Sequence, residues 1–242
     1  MIRLIFVALF VVLFLIIGIP VLGIEWLIGK VSKKTMDYSS LRLVQWAFNM
    51  IIKLAGIELT VIGEENISEG PVLYIGNHRS FFDIVITYAR CKNLTGYIAK
   101  KEMLSIPLLR TWMKRLYCLF LDRENPKEGL KTILQAIDYV KNGISICIFP
   151  EGTRSQDEDP HEFKEGSLRP ALKAKVPIIP MAISGTADIL ENNKRFQVKP
   201  TTVHITFGQP IYPDQLERAE KKHLGATIRE EIIEMRKKHK TS

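Results

Sequence analysis

Cysteine is scarce, with three among 242 residues, and Cys91, Cys118 and Cys147 lie in or beside apolar runs without paired spacing. That argues against a disulfide framework and reads the three as small buried hydrophobes in a reducing, cytoplasmic setting. Neither an H-E-x-x-H pattern nor a Cys/His cluster occurs, so no metal site is expected. A G-x-S-x-G elbow is also missing, so no serine is marked as a nucleophile. Zinc-knuckle spacing and an aromatic-rich RNA-binding signature are absent, and the 34 lysines and arginines are scattered along the chain. Nucleic acid is therefore set aside despite a net charge of +8. An anionic membrane surface, or acidic substrates and carriers, remain as partners for that charge. No repeat of fixed period is found.

Charge is missing altogether from residues 4–24, a run that as a helix would extend roughly 31 Å, about one hydrocarbon core. Arg3 precedes it, but the run exceeds an ordinary signal-peptide core and no A-x-A-type site follows, so a retained anchor is expected. Pro20, with Gly18 and Gly23 nearby, should weaken or kink the helix, which leaves both a full span and a segment dipping into one leaflet open. If it spans, Lys30, Lys33 and Lys34 after the run place the main domain in the cytoplasm. Residues 40–55 form a second helical segment, with Arg42, Gln45, Asn49 and Lys53 as a narrow polar stripe on an apolar body. It reads as a core helix or an interfacial one, with Gly56 as its stop.

Beyond this point β-branched or apolar runs recur at 57–62, 72–75, 95–99, 117–121, 144–149, 178–183 and 202–207. Segments 81–90, 106–114, 126–141 and 167–175 read as helices between them, and a charged helix follows Pro213. The alternation predicts an α/β fold: a single domain over 56–242, with a mostly parallel central sheet flanked by helices, behind anchoring helices in 1–55. Residues 155–166 are acidic and turn-rich, a surface loop or a mobile flap.

Two constellations carry chemistry. Asn77-His78-Arg79-Ser80-Phe81-Phe82-Asp83 follows directly from a strand, at the sheet end where ligands bind. On one continuous helix His78 and Asp83 would point about 140° apart. The pair therefore works only if His78 precedes the helix and Asp83 reaches back from its first turns. Asp83 would then fix the imidazole tautomer while the opposite nitrogen takes a proton from a substrate hydroxyl. With no serine elbow, the nucleophile is the substrate's own oxygen.

The second constellation, Phe149-Pro150-Glu151-Gly152-Thr153-Arg154-Ser155, also ends a strand. Gly152 permits a tight turn, Thr153 offers a hydroxyl, and Arg154 offers a forked cation suited to phosphate. Glu151 is expected to orient Arg154 or meet a substrate hydroxyl. Taken alone, the two motifs read equally as a structural histidine and a capped turn.

Together, some seventy residues apart, they resemble the glycerolipid acyltransferase family, and within it the 1-acylglycerol-3-phosphate acyltransferases. Phe120-Leu121-Asp122-Arg123 resembles that family's glycerophosphate-binding block, and Val176-Pro177-Ile178-Ile179-Pro180 its final apolar block. The four blocks occur in family order across residues 71–185. The resemblance implies fatty acyl transfer from acyl-CoA or acyl carrier protein to the sn-2 hydroxyl of lysophosphatidic acid, giving phosphatidic acid, with no cofactor and no metal.

By the same resemblance His78 is the base and Asp83 orients it, while Asn77, Lys100, Arg123, Glu151, Gly152, Thr153 and Arg154 bind substrate. Lys101 could exchange roles with Lys100. The implied partners are the acceptor, the thioester donor, membrane lipids and, for one donor, the carrier protein. The implied location is the cell membrane, with the catalytic domain on its cytoplasmic face. Two departures stand out: Tyr117-Cys118-Leu119-Phe120 lacks the glycine often found at the start of its block, and an acidic insertion precedes Phe163-Lys164-Glu165-Gly166. Another lyso-lipid acceptor, a thioesterase and a non-catalytic membrane-binding relative are the alternatives.

Overall fold

The computed structural model describes residues 1–194 and 197–240. Strands β1 (Ile57–Ile62), β2 (Leu73–Gly76), β3 (Thr95–Lys100), β4 (Leu119–Leu121), β5 (Ser145–Ile148), β6 (Ile178–Ser184) and β7 (Thr201–Phe207) form one sheet in the order β1-β7-β6-β2-β5-β3-β4. Every pairing is parallel except β6 with β7. The helices are α1 (Ile2–Val31), α2 (Lys33–Ala55), α3 (Phe81–Ala89), α4 (Pro107–Arg115), α5 (Pro126–Lys141), α6 (Arg169–Ala174), α7 (Arg218–Lys222) and α8 (Leu224–Lys240).

Strand alternation divides the core into two layers. Val72, Tyr74, Ile179 and Met181 face one side, where they join buried residues of α2, α3 and α4. Leu73, Ile75, Ile146, Ile148 and Ala182 face the other, against α5, α6 and α8. With both faces covered, β2 and β5 are buried along their whole length, which explains their unbroken apolar runs.

The two N-terminal helices pair antiparallel. Arg3 donates to the Leu54 carbonyl at 3.1 Å, joining the start of α1 to the end of α2. At the other end Ser39 and Ser40 donate to the buried Glu25. Arg115 of α4 lies 3.7 Å from the same carboxylate, and Tyr117 donates to Asp37. Gly18 packs on the indole of Trp112, where a Cβ would approach it to 2.9 Å. The glycine read as a weak point thus makes room for a close contact, and the helix runs on through Pro20. Helix α1 therefore lies along α2 and α4, and its other faces expose Phe6, Leu9, Leu13, Ile16, Ile17 and Trp26. By length and composition it could cross a membrane.

Helix α2 begins at Lys33, seven residues before the segment read from its apolar pattern, because Ser32 accepts from the Thr35 amide and caps it. It ends at Gly56, with φ +75°. Of its polar stripe, Arg42, Asn49 and Lys53 are exposed while Gln45 is buried, donating to the carbonyls of Tyr88 and Cys91 at the end of α3. The strand read over 117–121 starts at Leu119, since Tyr117 adopts φ +58°. The acidic loop is held by its backbone, with Arg79 donating to the Gln156 carbonyl, Arg236 to Glu158, and Arg229 to Pro160 and His161.

Candidate active site

The site lies along the carboxyl ends of β6, β2, β5, β3 and β4. Ser80 caps α3, accepting from the Phe82 amide, so His78 falls in the turn before the helix and Asp83 in its first turn. Asp83 is fully buried. Its Oδ2 accepts from the amides of Arg79 at 2.7 Å and Ser80 at 2.8 Å, and meets His78 Nδ1 at 2.8 Å. An ionised carboxylate only accepts, so Nδ1 carries the proton and Nε2 presents a lone pair. The imidazole stacks on Phe149 at 4.3 Å and 14°.

The second motif grips the first by its backbone. Glu151 accepts from the His78 amide at 2.7 Å, and Ser155 donates from its amide to the His78 carbonyl at 2.8 Å. The other Glu151 oxygen accepts from the His161 amide at 2.9 Å. Burial raises the Glu151 pKa, against the lowering effect of those two amides. Gly152 turns at φ +75°, a conformation glycine adopts without strain.

Two residues expected to contact substrate have their side chains engaged inside the protein. Asn77 is buried, donating to the Ile183 carbonyl and accepting from the Ile183 amide, so both ends of its amide are committed to β6. Glu151 does not orient Arg154, because both of its oxygens face amides of the His78 and His161 backbone. Thr153 and Arg154 are exposed.

Arg154 is held by a residue that no motif marked. Glu191, in the turn after β6, accepts from Arg154 Nη1 at 3.2 Å, from the Phe81 amide at 2.9 Å and from Ser80 Oγ at 2.7 Å. The guanidinium also stacks over Phe81 at 3.8 Å. Glu191 reaches Arg154 because β6 neighbours β2 and their carboxyl ends are adjacent, a fact of topology. A cleft of about 780 Å³ opens here, walled by Arg79, Phe81, Thr153, Arg154 and Glu191 among others. It adjoins the His78 loop without including the imidazole itself.

Lys100 and Arg123 stand on the other flank. Lys100 ends β3 and pairs in register with Leu121 of β4, placing both cations two and three strands from β2, about 10 and 14 Å across the sheet. Lys101 is bound to Asp122 at 3.0 Å, whereas Lys100 has no ion pair among the described residues, so of the two lysines Lys100 is free for a ligand. The expected cations therefore frame His78 from two sides and do not meet at one point.

Comparison with known proteins agrees with this architecture. The family profile described as Acyltransferase matches residues 58–184, more than half of the chain. A probable 1-acyl-sn-glycerol-3-phosphate acyltransferase of Mycoplasma genitalium is 32% identical over 193 residues, covering 75% of this chain and 71% of that protein. Its Mycoplasma pneumoniae counterpart is 28% identical over 194 residues, covering 76% and 73%. The crystal structure of the 1-acyl-sn-glycerophosphate (LPA) acyltransferase PlsC from Thermotoga maritima superposes with a TM-score of 0.77 at 24% identity, covering 97% of this chain and 96% of that one. With its paired His78 and Asp83 at the carboxyl edge of a seven-stranded sheet, the matched profile and a relative of this identity and coverage, the chain belongs to the acyltransferase family.

Proposed function

We propose that this chain is a 1-acylglycerol-3-phosphate O-acyltransferase, moving a fatty acyl group from acyl-CoA or acyl carrier protein to the sn-2 hydroxyl of lysophosphatidic acid. The observation that carries the reading is the held imidazole: Asp83 on Nδ1, Phe149 under the ring, and both backbone polar atoms of His78 clamped by the second motif. Relatives named for this reaction support the acceptor.

The steps follow from that geometry. Nε2 takes the proton of the sn-2 hydroxyl as its oxygen bonds to the thioester carbonyl carbon, and Asp83 balances the imidazolium. The tetrahedral intermediate collapses as the C–S bond breaks, and the thiolate recovers the proton from Nε2. A thiolate leaves readily, so the step needs no metal or cofactor. Arg154 borders the cleft beside the His78 loop, held there through Glu191 and Phe81, whereas Arg79 already donates to the Gln156 carbonyl. The acceptor's phosphate lies only a few bonds from its reacting oxygen, so Arg154 is assigned to that phosphate. Lys100 and Arg123 supply positive charge from the opposite flank. The exposed apolar faces of α1 would sit in the cytoplasmic leaflet of the cell membrane, and the packing of its remaining face along α2 and α4 favours embedding in one leaflet over a full span.

The test is product formation in mixed micelles from labelled acyl-CoA and acyl carrier protein. Transfer to lysophosphatidic acid supports the reading. Equal transfer to phosphate-free lyso-lipids would overturn the acceptor, and thioester hydrolysis without acceptor would make the chain a thioesterase.

A further inference from the structure

Arg154 enters the site with its charge already answered. Glu191 sits at the N-terminus of α3, where its carboxylate caps the helix through Phe81 and Ser80 and suits the positive end of the dipole. Its third contact, to Arg154, is a single hydrogen bond at 3.2 Å between side chains 38% and 22% exposed. The two capping bonds are shorter and tie Glu191 to the helix that carries Asp83. The contact to Arg154 is thus the weak member of the set, and Arg154, stacked on Phe81, borders the cleft.

We propose that Glu191 is a built-in stand-in for the acceptor's phosphate: it parks Arg154 beside the His78 loop in the empty enzyme and yields it to the incoming phosphomonoester. This rests on the assignment of Arg154 to that phosphate. A dianionic phosphate offers Arg154 two oxygens in a forked geometry, where Glu191 offers one. Glu191 keeps its helix cap when Arg154 leaves, so the exchange requires no unfolding of the turn. The standing carboxylate also repels the entering phosphate, so the exchange weakens acceptor binding by the strength of the contact that is given up. Glu191 is a positioning residue, acting through Arg154 and α3 and not on the reacting atoms.

The test is Glu191→Gln, which keeps an oxygen for the helix cap and removes the competing charge. The Michaelis constant for lysophosphatidic acid falls about two- to fivefold, the range of an exposed ion pair, while that for a phosphate-free lyso-lipid does not. The fall disappears in an Arg154→Ala background and shrinks at high salt. Inhibition by glycerol 3-phosphate strengthens in the same ratio in Glu191→Gln, a second measure of the same exchange. An unchanged or raised Michaelis constant in folded Glu191→Gln, or an equal fall in the Arg154→Ala background, overturns the proposal. If Arg154→Ala alone leaves the lysophosphatidic acid Michaelis constant at its wild-type value, the phosphate assignment of Arg154 fails first, and the role of Glu191 with it.

Discussion

Replacing Glu151 by glutamine separates a strut from a substrate contact. The carboxylate is 5% exposed and accepts from two amides, those of His78 and His161. Burial already raises its pKa, so the charge itself is not the main gain; the two acceptor atoms are. Glutamine offers one oxygen and turns an NH2 group toward the other amide, setting donor against donor. One hydrogen bond is lost and a buried N–H is left without a partner, a cost of about 2 kcal/mol. For a domain of this size that lowers the melting temperature by about 4–8 °C. Because the His78 backbone hangs on the same carboxylate, kcat falls with it, by up to about a hundredfold for a displacement near 1 Å. Thermal unfolding followed by circular dichroism, with kcat and KM measured on the same preparation, checks both. A variant that melts at the wild-type temperature but shows a raised KM for lysophosphatidic acid would refute the strut and return Glu151 to the substrate.

Asp83→Asn removes the acceptor that fixes the imidazole tautomer, and kcat should fall by about 10³-fold or more, with acceptor KM little changed; near-normal turnover would count against the tautomer argument. Gly18→Val should drive a side chain into the Trp112 indole and destabilise the α1–α4 contact by about 1–3 kcal/mol, read as a lower melting temperature in detergent; an unchanged value would place Trp112 elsewhere. His239 touches Thr206 and Ser184 through its two ring nitrogens, and burial pushes its pKa down to about 4. Its folded value lies below the unfolded one, so the unfolded chain binds the proton first. Stability is therefore full above about pH 6.5 and is lost as pH falls toward 4. His239→Gln should flatten that acid limb, and an identical pH profile of melting would contradict it.

Much of the fold was legible because the sheet is buried on both faces. Each of β1 to β7 coincides with an apolar run, the boundaries shifting where a local feature intervenes, as Tyr117 does with its positive φ. The His78 and Asp83 geometry was legible because helical periodicity permits only one arrangement of the pair, a turn followed by a capped helix. The expectation that Glu151 orients Arg154 failed because the two are neighbours in sequence, whereas the partners of Glu151 are backbone amides that no pattern of side chains reveals. Asn77 likewise spends its side chain on Ile183, more than a hundred residues away. Glu191 was invisible because its role depends on β6 lying beside β2, a fact of topology. The packing of α1 along α4 was equally hidden, since Glu25, Arg115, Asp37 and Tyr117 meet only in three dimensions.

The most direct test of the central claim is acyl transfer to lysophosphatidic acid by the wild type and His78→Ala, side by side in mixed micelles with labelled acyl-CoA and labelled acyl carrier protein. The account predicts phosphatidic acid from the wild type and none above background from a folded His78→Ala. Comparable product from both proteins would contradict His78 as the base.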